Sequence, residues 1–154
     1  MLRLASIIAF VTLISTYINA SEFKDLDYAS LDVTVSLNDG AEDGCWTNLK
    51  EVRDYAEGSL QNRGINILPP PYKGQVKQKI FELYISVLGG RIYEDGTGGC
   101  YGSLNVALRA PEIIDDVIYY AEYTSLNGAI ITIDTNLNRR VLDGLSEYFR
   151  DYMK

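Results

Sequence analysis

Two cysteines stand in the chain, each in the same short phrase: Gly-Cys-Trp at 44–46, within EDGCWTNLKEV, and Gly-Cys-Tyr at 99–101, within TGGCYGSLNV. What they can do depends on the compartment in which the chain folds. The sequence opens MLRLASIIAFVTLISTYINASEF, with a positive start at Arg3, an apolar run from Leu4 to Ile18, and then Asn19-Ala20. This is the layout of a secretory leader. A membrane span needs about 20 apolar residues, whereas this run is shorter and carries Ser6, Thr12, Ser15 and Thr16 inside it. Cleavage is expected between Ala20 and Ser21. Residues 1–20 are then a signal peptide, and 21–154 is left as one domain of common size.

In an oxidising compartment an even cysteine count reads first as a disulfide. The alternatives need partners that the sequence lacks: there is no Cys-x-x-Cys motif and no histidine, so neither a Cys–His nucleophile nor a Cys/His zinc site can be assembled within one chain. A Cys45–Cys100 bridge is expected, and closing so long a loop removes about 4 kcal/mol of unfolded-state entropy. The fold must therefore hold the segment around 45 against the segment around 100.

Periodicity supplies the elements. LDVTVSL at 31–37 alternates Leu31, Val33, Val35 and Leu37 against Asp32, Thr34 and Ser36, which is a strand with one buried face. NDGAEDG at 38–44 reads as a loop. Asn48 followed by Glu51 predicts a capping box, and Leu49, Val52, Ala56 and Leu60 at helical spacing, stopped by Gly64, predict a helix over 48–63. A short strand at 65–67 is halted by Pro69-Pro70-Pro71. IFELYISV at 80–87 alternates again, RIYEDGTGG at 91–99 is a glycine-rich hairpin turn, and CYGSLNVALRA sets Leu104, Val106 and Leu108 against Ser103, Asn105 and Arg109. Cys100 shares the buried parity. DVIYYAEYTS at 116–125 and AIITI at 129–133 read as two strands separated by a turn at Leu126-Asn127-Gly128. Leu137, Val141, Leu145, Phe149 and Tyr152 then form the stripe of a second helix over 137–153. Thr-Asn-Leu precedes both helices, at 47–49 and 135–137, which is ordinary capping chemistry rather than a duplicated unit.

Five or six strands and two amphipathic helices, each burying one apolar face, predict an α+β fold. It is a two-layer sandwich, with a mainly antiparallel sheet and both helices, 48–63 and 137–153, on one face. The other face is left bare and carries Thr34, Ser36, Tyr84, Ser86, Tyr101, Ser103, Asn105 and Tyr120. Tyrosine joins apolar area to a polar tip, and Ser and Asn add adaptable hydrogen bonds. Tyr84, Ser86, Tyr101, Ser103, Asn105 and Tyr120 are accordingly the candidate binding residues, against the plainer reading that tyrosine simply favours strands.

Charge narrows the partners. The formal net charge is −7, and loss of the leader, which holds one base and no acid, makes it one unit more negative. Such a surface repels phosphate backbones, so nucleic acid is not an expected partner. Chemistry-bearing motifs fail on inspection. Asp134, Asn136 and Asn138 begin a calcium-loop pattern, but Arg139 stands where glycine is needed and Leu145 where a bidentate Glu is needed. Acidic loops at Asp39, Glu42 and Asp43 or at Glu94 and Asp95 read as solvated turns, GTGGCYG lacks phosphate-loop spacing, and SEFK at 21–24 lies at the new terminus. Asp115 and Asp116, adjacent in an expected strand, would point to opposite faces. No catalytic residue, metal site or cofactor is expected. The reading that remains is an exported, non-catalytic binding or assembly module, periplasmic or secreted, that recognises a protein or other envelope component through its outer sheet face or loops. The alternatives are a carboxylate- or tyrosine-dependent enzyme acting on carbohydrate or peptidoglycan, and a structural subunit that self-associates by its sheet.

Overall fold

The computed structural model describes residues 27–69, 80–93 and 98–153. The leader and its cleavage site, SEFK, Pro70-Pro71 and the Glu94-Asp95 pair lie outside these residues. After a 3-10 turn at Tyr28–Ser30, the chain forms β1 (Asp32–Ala41), α1 (Leu49–Gln61), β2 (Asn66–Ile67), β3 (Ile80–Arg91), β4 (Cys100–Ile114), β5 (Val117–Thr132) and α2 (Asn138–Asp151). The strands make one sheet in the order β2-β1-β3-β4-β5. β1 runs parallel to β3 and to the two-residue β2, while β3, β4 and β5 form an antiparallel meander that holds most of the pairing. This is the expected α+β architecture.

Strand parity sorts the side chains as the alternation predicts. Val33 and Val35 of β1, Leu83, Ile85 and Val87 of β3, and Leu104, Val106, Leu108 and Ala110 of β4 are buried in one core with Val52, Ala56 and Leu60 of α1 and Val141, Leu145 and Phe149 of α2. Both helices therefore lie on the same side of the sheet. Met153 rather than Tyr152 completes the α2 contribution: Met153 is buried and Tyr152 is exposed. Tyr148, a turn before Tyr152, is wholly buried, its hydroxyl 2.6 Å from Thr124 Oγ1.

Three expectations are corrected. β1 does not stop at Leu37 but continues to Ala41, because Asn38–Ala41 pair with Ser86–Gly89 of β3. Asn48 occupies the α1 N-cap position, but its side-chain oxygen accepts from the Trp46 indole N–H at 3.0 Å and its amide donates to Glu51 at 2.9 Å, so the capping box is replaced by a link to the tryptophan. Leu126-Asn127-Gly128 is no turn. It lies within β5, paired with Leu104–Val106 of β4. The reversal comes at Asp115-Asp116, which close the β4–β5 hairpin with both residues at positive φ, 51° and 62°, as a two-residue type I′ turn requires.

Each end of the helix layer is tied down. At one end Cys45 and Cys100 are bridged, with Cα atoms 5.8 Å apart, inside the reach of a disulfide. A tight turn through Asp43-Gly44, both at positive φ, with Cys45 N–H returning to Glu42 O at 3.0 Å, presents Cys45 to its partner. Beside it Arg91 donates to Thr135 O at 2.7 Å, Gly98 O at 3.2 Å and Asp43 O at 3.0 Å, joining three loops. At the other end Arg63 donates to Ser59 O, Phe149 O and Met153 O, at 2.8, 2.8 and 3.1 Å. A guanidinium shared between two helix C-termini also meets the negative ends of both macrodipoles. Gly89 and Gly102 face each other across β3 and β4. A Cβ on Gly89 would fall 2.2 Å from Tyr101 O, so glycine is what lets the two backbones approach there.

Candidate functional site

With both helices on one side, no element among the described residues covers the other side of the sheet, and the register places its residues in rows. Thr34, Glu82, Arg109 and Glu122 form the first row across β1, β3, β4 and β5; Ser36, Tyr84, Ala107 and Ser125 the second; Asn38, Ser86, Asn105 and Asn127 the third; Gly40, Leu88, Ser103 and Ala129 the fourth; Gly90, Tyr101 and Ile131 the last. Tyr120 joins this face because the β4–β5 ladder skips Tyr123, which shifts parity between Leu108 and Arg109. The six candidates Tyr84, Ser86, Tyr101, Ser103, Asn105 and Tyr120 thus share one surface.

They are not equally accessible. Tyr101 and Tyr120 are about half exposed, 53 % and 54 %, and Ser103 is exposed. Ser86 is 7 % exposed, because Asn38 on the adjoining strand reaches over it and donates to its hydroxyl at 3.0 Å. Ser86 is therefore a structural partner of Asn38 and presents little to a ligand. Asn105 Nδ2 donates to the side-chain Oδ1 of Asn127 in its own row, while Asn105 Oδ1 is buried without a hydrogen-bond partner. Tyr84 is half covered by Arg109, whose guanidinium carbon lies 3.7 Å from the Tyr84 ring centre and 4.5 Å from that of Tyr120. Arg109 Nε also donates to Glu82 at 2.7 Å. One cation thus sits between two rings and against one carboxylate, which fixes both tyrosines by cation–π attraction and neutralises Glu82.

The face is banded as a result. A polar belt, Glu82–Arg109 and Asn38–Ser86–Asn105–Asn127, crosses its middle. Exposed apolar groups stand on either side of it, Leu88, Tyr101 and Ile131 toward the disulfide end and Ile118 and Tyr120 toward the hairpin end. Next to Glu82 an open hollow of about 500 Å³ is lined by Thr34, Ser36, Arg53, Pro111 and Tyr120. Arg109 followed from the β4 alternation, although its role between the rings did not. Asn127 was hidden by the supposed turn at 126–128, which also left Ile131 in a separate strand of unassigned face, whereas Ile118 shares its face with Tyr120 two residues on.

The partial calcium pattern is used otherwise. Asn136 Oδ1 accepts from Asn138 N–H at 3.2 Å, Asp134 is bonded to Thr132, and Arg139, paired with Asp143, lines the same small hollow with Arg140. Asp39 accepts from Ala41 N–H at 3.1 Å. Asp115 and Asp116 sit in the hairpin turn, not in a strand. Among the described residues no three Cys, Asp or Glu side chains gather where they could share a metal ion, and no helix is long and apolar enough to cross a membrane. In comparisons with known proteins, no family model and no curated protein matches the chain.

Proposed function

We propose that the chain is an exported, non-catalytic binding or assembly module that acts in the cell envelope or extracellular space and recognises a protein surface through the outer face of its sheet. The observation that carries this reading is the banding of that face, with exposed Tyr101, Leu88 and Ile131 on one side of a polar belt and Tyr120 and Ile118 on the other. Apolar anchors around oriented polar groups suit a protein partner, since aromatic side chains supply the buried area and the Asn and Arg side chains set the register. The covalent link between Cys45 and Cys100 supports passage through an oxidising compartment. Within the hollow beside Glu82, that carboxylate is committed to Arg109, which favours binding over acid–base chemistry at this face.

The test is affinity capture from native envelope extract with the exported protein, run beside Tyr101→Ala and Tyr120→Ala. Partners whose recovery falls with both substitutions, while the circular dichroism spectrum shows the fold retained, are expected. A partner retained equally by wild type and both variants would move recognition off this face.

A further inference from the structure

β5 carries an unusual combination of features. Among the described residues it is the last strand of the sheet, with β4 on one side only, and it runs from Val117 to Thr132, far longer than a typical strand of about 5–6 residues. Such an edge is normally blunted by lysine, proline or brevity, because its unpaired N–H and C=O groups will accept another strand. This one contains no lysine and no proline, and its one charged residue is Glu122. Among the described residues, no third strand pairs with the β4–β5 hairpin beyond the last β3–β4 pair, Glu82–Arg109. This two-stranded ribbon exposes Ile113, Ile114, Val117, Ile118, Tyr119 and Tyr120 on its two faces. The ribbon gains a backing if another strand lies along it.

We propose that the occupant of this edge is a second copy of the chain, joined antiparallel, β5 to β5, about a twofold axis at Ser125. The strand is self-complementary in that register. With Tyr123 left out of the ladder, as β4 already leaves it, Ile118 falls against the partner's Ile131, Tyr119 against the partner's Ile130, and Tyr120 against the partner's Ala129. Each of these pairs points to the same face of the sheet in both copies, as antiparallel partners must. The single charge, Glu122, meets the partner's Asn127, so no like charges oppose each other. Isologous pairing of this kind closes on itself, and it merges the two sheets into one continuous surface. Each ribbon then lies along the half of the partner strand that continues into the five-stranded part of the sheet, and the exposed side chains of Ile118 and Tyr119 gain the partner's Ile131 and Ile130 as apolar neighbours.

The experiment is the solution mass of the exported protein by light scattering over a concentration series, with two kinds of variant. The wild type is expected to be a dimer. Ser125→Lys, which sets two ammonium groups at the axis, is expected to weaken the dimer on the order of tenfold or more while the circular dichroism spectrum stays unchanged. Under mild oxidation Ser125→Cys should form a covalent homodimer, and an Ile118→Cys chain mixed with an Ile131→Cys chain should cross-link where Ser103→Cys controls do not. A wild type that stays monomeric at every concentration overturns the proposal. So does a dimer that survives Ser125→Lys and fails to cross-link through position 125. Should Ser125→Lys fail to fold, the cysteine pairs decide alone.

Discussion

Asn138 holds Thr47 by two hydrogen bonds, its Oδ1 accepting from the Thr47 N–H at 3.0 Å and its Nδ2 donating to Thr47 Oγ1 at 2.9 Å. The first residue of α2 thereby grips the chain two residues before α1, and Leu137 N–H adds a 2.7 Å bond to Cys45 O. The starts of both helices and the disulfide form one joint. Asn138→Ala is expected to lower unfolding stability by about 1 kcal/mol, the usual worth of such bonds where water can partly replace them. Asn138→Asp keeps the acceptor, loses the donor, and should recover part of the loss. Urea denaturation measures both, and an Asn138→Ala midpoint equal to wild type would show that the joint is held by the backbone and the disulfide alone.

The disulfide should outweigh that pair. Both cysteines are fully buried, and Cys45→Ser removes the loop constraint as well as apolar packing, so a loss of about 2–5 kcal/mol is expected. The Cys45→Ser, Cys100→Ser double variant should cost about the same as either single one, because the first substitution already deletes the link. Additive losses by thermal melting would mean that each sulfur stabilises the core on its own.

The legible parts of this fold were those governed by local pattern. Leu83, Leu104 and Val106 are buried and Ser103 is exposed because period-2 alternation and one buried face leave a strand no second register. The bridge was legible from the leader-like pattern of the first twenty residues, the even cysteine count and the lack of histidine. What failed was competition between local and distant pairing. Asn127-Gly128 is the stronger hairpin dipeptide, yet a turn there would strip Leu104, Asn105 and Val106 of the partners they have in β5. The long ladder wins, and the turn falls on Asp115-Asp116, which has weaker turn chemistry. That one displacement concealed Asn127 and Ile131 from the outer face. The bulge at Tyr123 was equally invisible, since no composition marks which residue a ladder will skip.

The same competition leaves a correctable strain. Asp115 and Asp116 both adopt positive φ, a conformation that asparagine and glycine accept more readily than aspartate. Asp116→Gly should raise stability by a few tenths to about 1 kcal/mol, since the backbone strain it relieves exceeds the extra freedom of the unfolded chain. Asp115→Asn should help by less. If Asp116→Gly instead lowers the melting temperature, the turn is held in another conformation in solution.

Tyr148 gives the fold an alkaline limit. Its ring is buried between sheet and helix with Phe149 at 5.7 Å and Tyr152 stacked at 5.9 Å. Burial pushes the hydroxyl well above its ordinary 10.0, although the Thr124 hydrogen bond acts in the opposite sense. The unfolded chain therefore releases this proton first. Stability from the neutral phenol is complete below pH 10 and declines above it, with a limiting slope of about 1.4 kcal/mol per pH unit. Burial raises the Tyr28 hydroxyl as well, so the comparison must be made against a variant at position 148. Tyr148→Phe keeps the ring, loses the bond to Thr124, and should cost about 1 kcal/mol at neutral pH. Above pH 10 its stability should fall less steeply than that of wild type, so that the two curves converge. Parallel curves across that range in denaturant titrations would show that Tyr148 ionises without unfolding the chain.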